Sequence, residues 1–300
     1  MLLNKLQWFR ERGWHEINAN DYEKIWHTYG GSVATHPTII KKLSTLANTP
    51  VRYLGWQQEG DWVGAIACWD DALALSRDQL KKKGKRGLFD LGNAEIILPL
   101  ADNAQITLRH KARYLSTLNQ PQINNWQPQK EQLAIARPLE EYSKKFRYNQ
   151  RRELRLLEEA GGIIKSIADF SSEELASMYC DLFFKRWNFQ VPSAPTQAEV
   201  FELLREFMVG SVIFLDNTPI AIQVLYQVES PKWISIEYVN GGVDPQERNF
   251  SPGSVLSFIN LQATWEYANK QNKPLRYSFG KADREYKERW CNRIDVGVSG

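Results

Sequence analysis

The chain has 300 residues and 34.8 kDa, with 43% hydrophobic and 24% charged residues; this is globular composition, which excludes disorder and fibrous repeats and leaves room for two domains or one large one. Lys and Arg number 38 against 35 Asp and Glu, a net charge of +3, too balanced for an electrostatic nucleic-acid binder, so no DNA partner is expected. Cys68, Cys180 and Cys291 lie over a hundred residues apart without a C-x-x-C pair, which argues against a disulfide framework or a zinc knuckle, gives no metal, and makes a reducing cytoplasm the default.

Lys5, Arg10, Glu11 and Arg12 interrupt the start of the chain, so no signal peptide is expected there. On a helix, Leu2, Leu6 and Phe9 share a face that either rests on an anionic leaflet or docks on its own domain, the simpler reading. Asn20 or Asp21 caps the next helix, which carries Ile25, Trp26 and Tyr29 and stops at Gly30-Gly31. His36-Pro37 opens a third. A hairpin follows, Val51 to Gln57 and Trp62 to Trp69, turning at Glu59-Gly60-Asp61. The basic run Lys81–Arg86 reads as a solubilising loop or a phosphate contact. Strand-like segments run over Glu95–Leu100 and Ala104–Leu108. Residues 119–138, with Pro121, Pro128 and Pro138, read as an inter-domain connection.

Beyond it, Tyr142–Ala160 predicts a helix and Ile163–Ala168 a strand. Capping boxes at Ser171/Glu174 and Thr196/Glu199 start two more helices. Val212–Leu215 and Ile220–Val228 form a second hairpin, the longest apolar stretch, broken by Asp216 and Pro219 well short of the ~20 residues a membrane span needs. Trp233–Asn240 alternates cleanly, with Trp233, Ser235, Glu237 and Val239 on one face and Ile234, Ile236 and Tyr238 on the other. A helix from Ser251-Pro252-Gly253 to Lys270, a strand Leu275–Phe279, a helix Asp283–Trp290 and a strand from Ile294 complete the chain. Hairpin, strand and helix thus occur twice, about 160 residues apart.

No G-x-S-x-G, P-loop or G-x-G-x-x-G motif is present. The helix starting Ser251-Pro252-Gly253-Ser254 offers amides and a dipole to an anion such as a phosphate, or is a plain cap with proline in the first turn. Glu237, on the strand before it, is a candidate general base for an amine if burial raises its pKa; otherwise it is exposed or paired with an arginine. In the segment 277–290, Asp283 caps, Glu285 and Arg289 pair at i,i+4, and Tyr286 and Trp290 share a packing face. Lys281, Arg284 and Lys287 are left over at the strand end, where α/β sites lie. Six cations between Lys144 and Arg155, Arg151 and Arg152 among them, could hold phosphates or an RNA acceptor stem, or form a solvated helix face.

Asn149-Gln150-Arg151-Arg152 with Leu156 and Gly161-Gly162, then Gly241-Gly242-x-Asp244, Ser251-Pro252-Gly253, and Phe279-Gly280 with Glu285-Tyr286-Lys287 follow in one order. The pattern resembles the GNAT-like superfamily that includes the Fem-type peptidoglycan aminoacyltransferases. Within it the chain is similar to the macrophage-inducible antimicrobial-peptide resistance proteins of Gram-negative bacteria. The resemblance implies an α+β fold of two tandem GNAT-like domains, 1–137 and 138–300, each a mixed, mostly antiparallel sheet flanked by helices. It also implies resistance to cationic peptides, in the cytoplasm or peripherally at the inner membrane.

For chemistry, the resemblance implies acyl or aminoacyl transfer to an amine-bearing acceptor from an acyl-CoA or an aminoacyl-tRNA. The donor loop would be Ser251, Pro252, Gly253 and Ser254, and the catalytic residues Glu237, Tyr286 and Lys287. Tyr238, Asn240, Lys281, Arg284, Arg151 and Arg152 would contact substrate. Acetyl-CoA users carry a tight R-x-x-G-x-G/A loop, whereas here Arg248 precedes Gly253 by five residues with Pro252 between. That shifts the expected donor toward aminoacyl-tRNA or another acyl thioester. A catalytically silent binding protein at the inner membrane is the alternative.

Overall fold

The computed structural model describes residues 2–300. In chain order its first half contains α1 (Leu2–Arg10), β1 (Trp14–Ile17), α2 (Ala19–Tyr29), α3 (Pro37–Leu46), β2 (Arg52–Gln58), β3 (Asp61–Trp69), β4 (Ala72–Leu73), α4 (Arg77–Lys82), β5 (Ala112–Ser116), β6 (Gln127–Pro128) and β7 (Leu133–Ala136). The second half contains α5 (Lys144–Glu159), β8 (Ile163–Ser166), α6 (Ser172–Trp187), α7 (Gln197–Leu203), β9 (Met208–Val209), β10 (Ser211–Leu215), β11 (Thr218–Glu229), β12 (Ile234–Val243), α8 (Pro252–Lys270), β13 (Leu275–Lys281), β14 (Cys291–Ile294) and β15 (Val296–Ser299).

Three sheets result. β1 to β4 form an antiparallel meander. The large sheet runs β14-β7-β13-β12-β11-β10-β8, with β9 added on β11. The third has the order β5-β15-β6. The strands therefore cross the expected 137/138 division in both directions: β7 lies between β13 and β14, and β15 returns to lie between β5 and β6. A continuous apolar core joins the halves, with Trp26 and Trp69 from the first and Phe201 and Tyr226 from the second, all fully buried.

Several local expectations give way for identifiable reasons. Asn18, not Asn20 or Asp21, caps α2, its Oδ1 accepting the Asp21 amide at 2.9 Å. The Ser171/Glu174 box closes both bonds, at 3.2 and 2.7 Å. Thr196 caps nothing: its φ of −114° and ψ of 2° are not extended, and its hydroxyl donates to the Leu88 carbonyl at 2.6 Å. Segments 95–100 and 104–108 are extended but form only isolated bridges, because side chains take ladder positions; Asn119 Oδ1 accepts the Leu98 amide at 2.7 Å and Asn125 Oδ1 that of Leu108 at 2.8 Å. Residues 119–138 are not a free connection, since β6 and β7 lie within them and Leu133 is fully buried. Residues 285–289 form a 3-10 turn rather than an α-helix. Three residues per turn rotate Glu285 and Arg289 apart, and among the described residues Glu288 pairs with Arg293 instead. Asp283 does not cap this turn; its carboxylate accepts from Lys287 Nζ at 3.4 Å.

A parted strand pair and its two faces

β12 and β13 are parallel neighbours only from Ile234/Leu275 to Glu237/Ser278. Beyond that point β12 stays on β11, with a bulge at Val239 where Val224 pairs Asn240 and Leu225 pairs Tyr238, while β13 passes along β7 to Lys281. The two strands thus separate at their carboxyl ends, where ligand crevices of open sheets form. Tyr238 and Phe279 stand at the fork, their rings edge to face at 5.1 Å.

α8 covers one face of this fork. Leu225, Ile234, Ile236 and Tyr238 pack against Phe258 and Leu261 of the helix. A buried polar chain pins its first turns to β11: Gln223 Nε2 donates to Ser257 Oγ at 2.8 Å, Ser257 Oγ to the Gly253 carbonyl at 2.9 Å, and Asn260 Nδ2 to Gln223 Oε1 at 2.8 Å. Ser251 sits in left-handed conformation, φ 46° and ψ 47°, and makes no side-chain cap. Its carbonyl takes the amides of Ser254 and Val255 at 2.8 and 3.1 Å. Pro252 has no N–H, so the Gly253 amide is the donor of this turn left without an acceptor among the described residues. The helix start thus offers one unbonded amide and its dipole, fewer donors than the sequence suggests.

Glu237 lies on the opposite face. In register it faces Tyr226, and Ser235 faces Val228, the side that packs into the core shared with the first half. It is 1% exposed, and its Oε1 accepts the Glu95 amide at 2.8 Å. Burial pushes its carboxyl well above the usual glutamate range, and the Glu95 carboxylate adds to this; Ser278, the Glu95 amide and Arg276 oppose it. Glu95, equally buried, is gripped by Arg276 through two bonds, Nε to Oε2 at 2.8 Å and Nη2 to Oε1 at 2.6 Å, and accepts from Ser116 Oγ at 2.6 Å. The carboxylate therefore looks neither into bulk water nor at the Ser251–Ser254 turn. It is walled in by the 92–95 segment, where Gly92 lies against the Val239 backbone.

On the α8 side the ionisable groups are tyrosines. Burial raises the Tyr238 phenol, with Arg186, Gln223 and Tyr286 close enough to oppose the shift. Burial and Tyr238 likewise raise Tyr286, which Arg186 opposes. Arg186, from the end of α6, donates to the Gly241 carbonyl at 3.1 Å and lies over the Trp187 ring at 4.7 Å; Arg284 lies over the same ring at 5.5 Å. Gly242 has no room for a Cβ against Leu182 of α6, and Asp244 binds Lys185 at 2.6 Å. The Gly241-Gly242-x-Asp244 motif is thus where α6 is clamped onto the mouth of the fork.

The sequence matches the Mig-14 family profile over residues 36–298. The chain belongs to the Mig-14 family. No curated protein matches it by sequence. Among solved structures it is similar to FemX, with 9% identity, 95% of each chain covered and a TM-score of 0.55. Weaker similarity extends to L-PGS from Bacillus licheniformis (14% identity, 95% of this chain and 91% of that one, TM-score 0.46). It also extends to a tandem GNAT protein from the clavulanic acid biosynthesis pathway (10% identity, 95% and 96%, TM-score 0.45). The fold is that of FemX, an α+β arrangement of sheets flanked by helices.

In this Mig-14 family chain the remaining expected site residues are dispersed. Lys287 Nζ donates to the Lys281 carbonyl at 2.6 Å, and burial lowers its pKa. Lys281 Nζ binds Glu131 Oε1 at 2.6 Å, a carboxylate shared with Arg113 and Tyr114. Asn240 Oδ1 accepts the adjacent Gly241 amide at 2.9 Å. Arg151 and Arg152 are exposed on α5, whose Leu154 and Leu157 pack with Val255 and Leu256 of α8. The structure brings together Tyr238, Tyr286 and Arg284, and adds Arg186 and Trp187 from the end of α6, which the sequence pattern did not single out. Among the described residues no group of three His, Cys, Asp or Glu is placed to hold a metal, and no helix is long and apolar enough to cross a membrane.

Proposed function

We propose that the protein is a GNAT-like transferase that forms an amide, moving an acyl or aminoacyl group from an activated donor to an amine. The observation that carries this reading is the separation of β12 from β13 beside the start of α8, with Tyr238, Tyr286 and Arg186 at its mouth. The acceptor nitrogen attacks the donor carbonyl carbon, and the bond to the thioester sulfur or ester oxygen breaks. The leaving group must then gain a proton. Tyr286, with its pKa raised by burial, carries its proton at neutral pH; it gives that proton to the leaving group and takes up the one the attacking nitrogen sheds, the acid–base group of this reading. The Gly253 amide and the α8 dipole hold a donor phosphate, and the exposed Arg151 and Arg152 of the neighbouring α5 extend the positive surface for a tRNA donor. Glu237, enclosed and with its carboxyl pushed up by burial, is assigned no proton transfer. Membership of the Mig-14 family supports placing the acceptor among peptides or envelope components whose modification protects against cationic antimicrobial peptides.

The test is thermal stability of the purified chain with acetyl-CoA, a long-chain acyl-CoA and charged tRNA. A donor at a hundred times its dissociation constant adds about 2.7 kcal/mol. Ser254→Glu, which sets a negative charge at the helix start, should abolish that gain. Stabilisation by none of the three donors overturns the reading.

One observation favours a second, non-catalytic role. Leu6, Trp8 and Phe9 of α1 are all more than half exposed, with Arg10 at the helix end and Arg109 over the Phe9 ring at 5.0 Å. Such a cluster suits an interfacial contact with an anionic bilayer. Trp8→Ser with Phe9→Ser should release the protein from anionic vesicles in a sedimentation assay; unchanged binding rules out α1 as the contact.

A further inference from the structure

A cavity of about 490 Å³ opens between the first half and the returning C-terminal strand β15, apart from the α8 site. That volume is in the range of small-ligand sites. Its wall is apolar, with Leu75, Phe89, Leu91 and Ile96. Its rim is cationic: Arg77, Lys82, Lys111 and Arg113 all border it, each with its side chain more than half exposed.

The carboxylates nearby offset this charge only in part: Asp78 also borders the cavity, and with Asp71, Asp90 and Glu131 it makes four against the four rim cations and Lys281. Asp71 is shared by Lys82 and Lys111, Glu131 by Arg113 and Lys281, and Asp90 faces Arg77 at 3.4 Å. Arg77 and Lys82 also continue into the basic run that follows, so residues 77–86 hold six cations against Asp78. A second observation is conformational. Leu75, Gly92 and Tyr114 line the same cavity in left-handed backbone, φ 64°, 68° and 60°. For leucine and tyrosine this is strained, and such residues gather at ligand clamps.

We propose that this cavity binds a single-chain anionic amphiphile, its hydrocarbon against Leu75, Phe89, Leu91 and Ile96 and its head group at Arg77, Lys82, Lys111 and Arg113. A neutral amphiphile leaves the rim unmatched, and an inorganic anion leaves the apolar wall hydrated, so neither reproduces the binding. The site does not depend on the transfer reaction.

Calorimetric titration of the full chain with dodecyl phosphate below its micelle threshold tests this. One saturable site is expected, with dodecyl maltoside and inorganic phosphate each weaker by about tenfold or more. Arg77→Glu with Lys82→Glu, both at exposed positions, should lower dodecyl phosphate affinity by a similar factor and leave dodecyl maltoside unchanged. Ala94→Trp, which fills the cavity, should remove binding of both amphiphiles while near-ultraviolet circular dichroism stays native. Absence of a saturable site, equal binding of the neutral amphiphile or of inorganic phosphate, or unchanged affinity in the charge-reversed variant overturns the proposal. Should the tryptophan variant fail to fold, the charge-reversed variant still decides.

Discussion

The two faces of β12 carry ionisable groups of opposite character. On one, Glu237 meets the amide of Glu95 from the other half, whose buried carboxylate is paired with the half-buried Arg276 of β13. On the other, Tyr238 meets Tyr286 and Arg186 where strands diverge and a helix begins. A one-residue step along a strand therefore separates a fastening from a candidate site. The lesson is that a buried, pKa-shifted carboxylate marks a functional site only when something other than protein reaches it.

The sharpest way to break this contrast is Arg276→Met. It leaves the Glu95 carboxylate buried without its cation, which costs about 3–5 kcal/mol, read as a lowered denaturant midpoint. A loss under about 1 kcal/mol would mean the halves are not fastened there. Next in size, Tyr286→Phe should slow amide transfer about 10²-fold while leaving the midpoint unmoved; a parallel loss of both would make Tyr286 a packing residue only.

The smallest effect concerns Glu237→Gln, expected to transfer at the wild-type rate. Because the native carboxyl titrates above its ordinary value of 4.5, the folded state holds a proton that the unfolded state gives up. Wild-type stability from this group therefore falls as pH rises beyond that value, and the glutamine, which cannot ionise, escapes the fall. The variant should be within about 1 kcal/mol of wild type at pH 5 and gain on it as pH rises from there in urea titrations. Glu131 runs the other way: bonds from Lys281 and Tyr114 hold it down at about 2, so its contribution is lost as acid approaches that value.

Much of this was legible in the residues. Alternation placed Glu237 and Tyr238 on opposite faces of one strand, and Pro252 with its small neighbours marked the start of α8. Glu95 was not, because its segment has no regular pairing and Arg276 is 181 residues away. The burial of Glu237 could be guessed, but not that the first half would supply the lid. The single free amide at Gly253 depends on the left-handed turn at Ser251, which composition does not announce. Arg186 was hidden because a basic residue at a helix end already has an explanation in the dipole.

The placement of β15 sets the timing of assembly. It is the middle strand of its sheet, so β5 and β6 have no common neighbour until residues 296–299, far along the chain, are in place between them. Residues 112–128 are thus joined into a sheet only by a strand more than 160 residues further on. Cutting the chain before Val296 would therefore unfasten β5 and β6, well away in sequence from the cut.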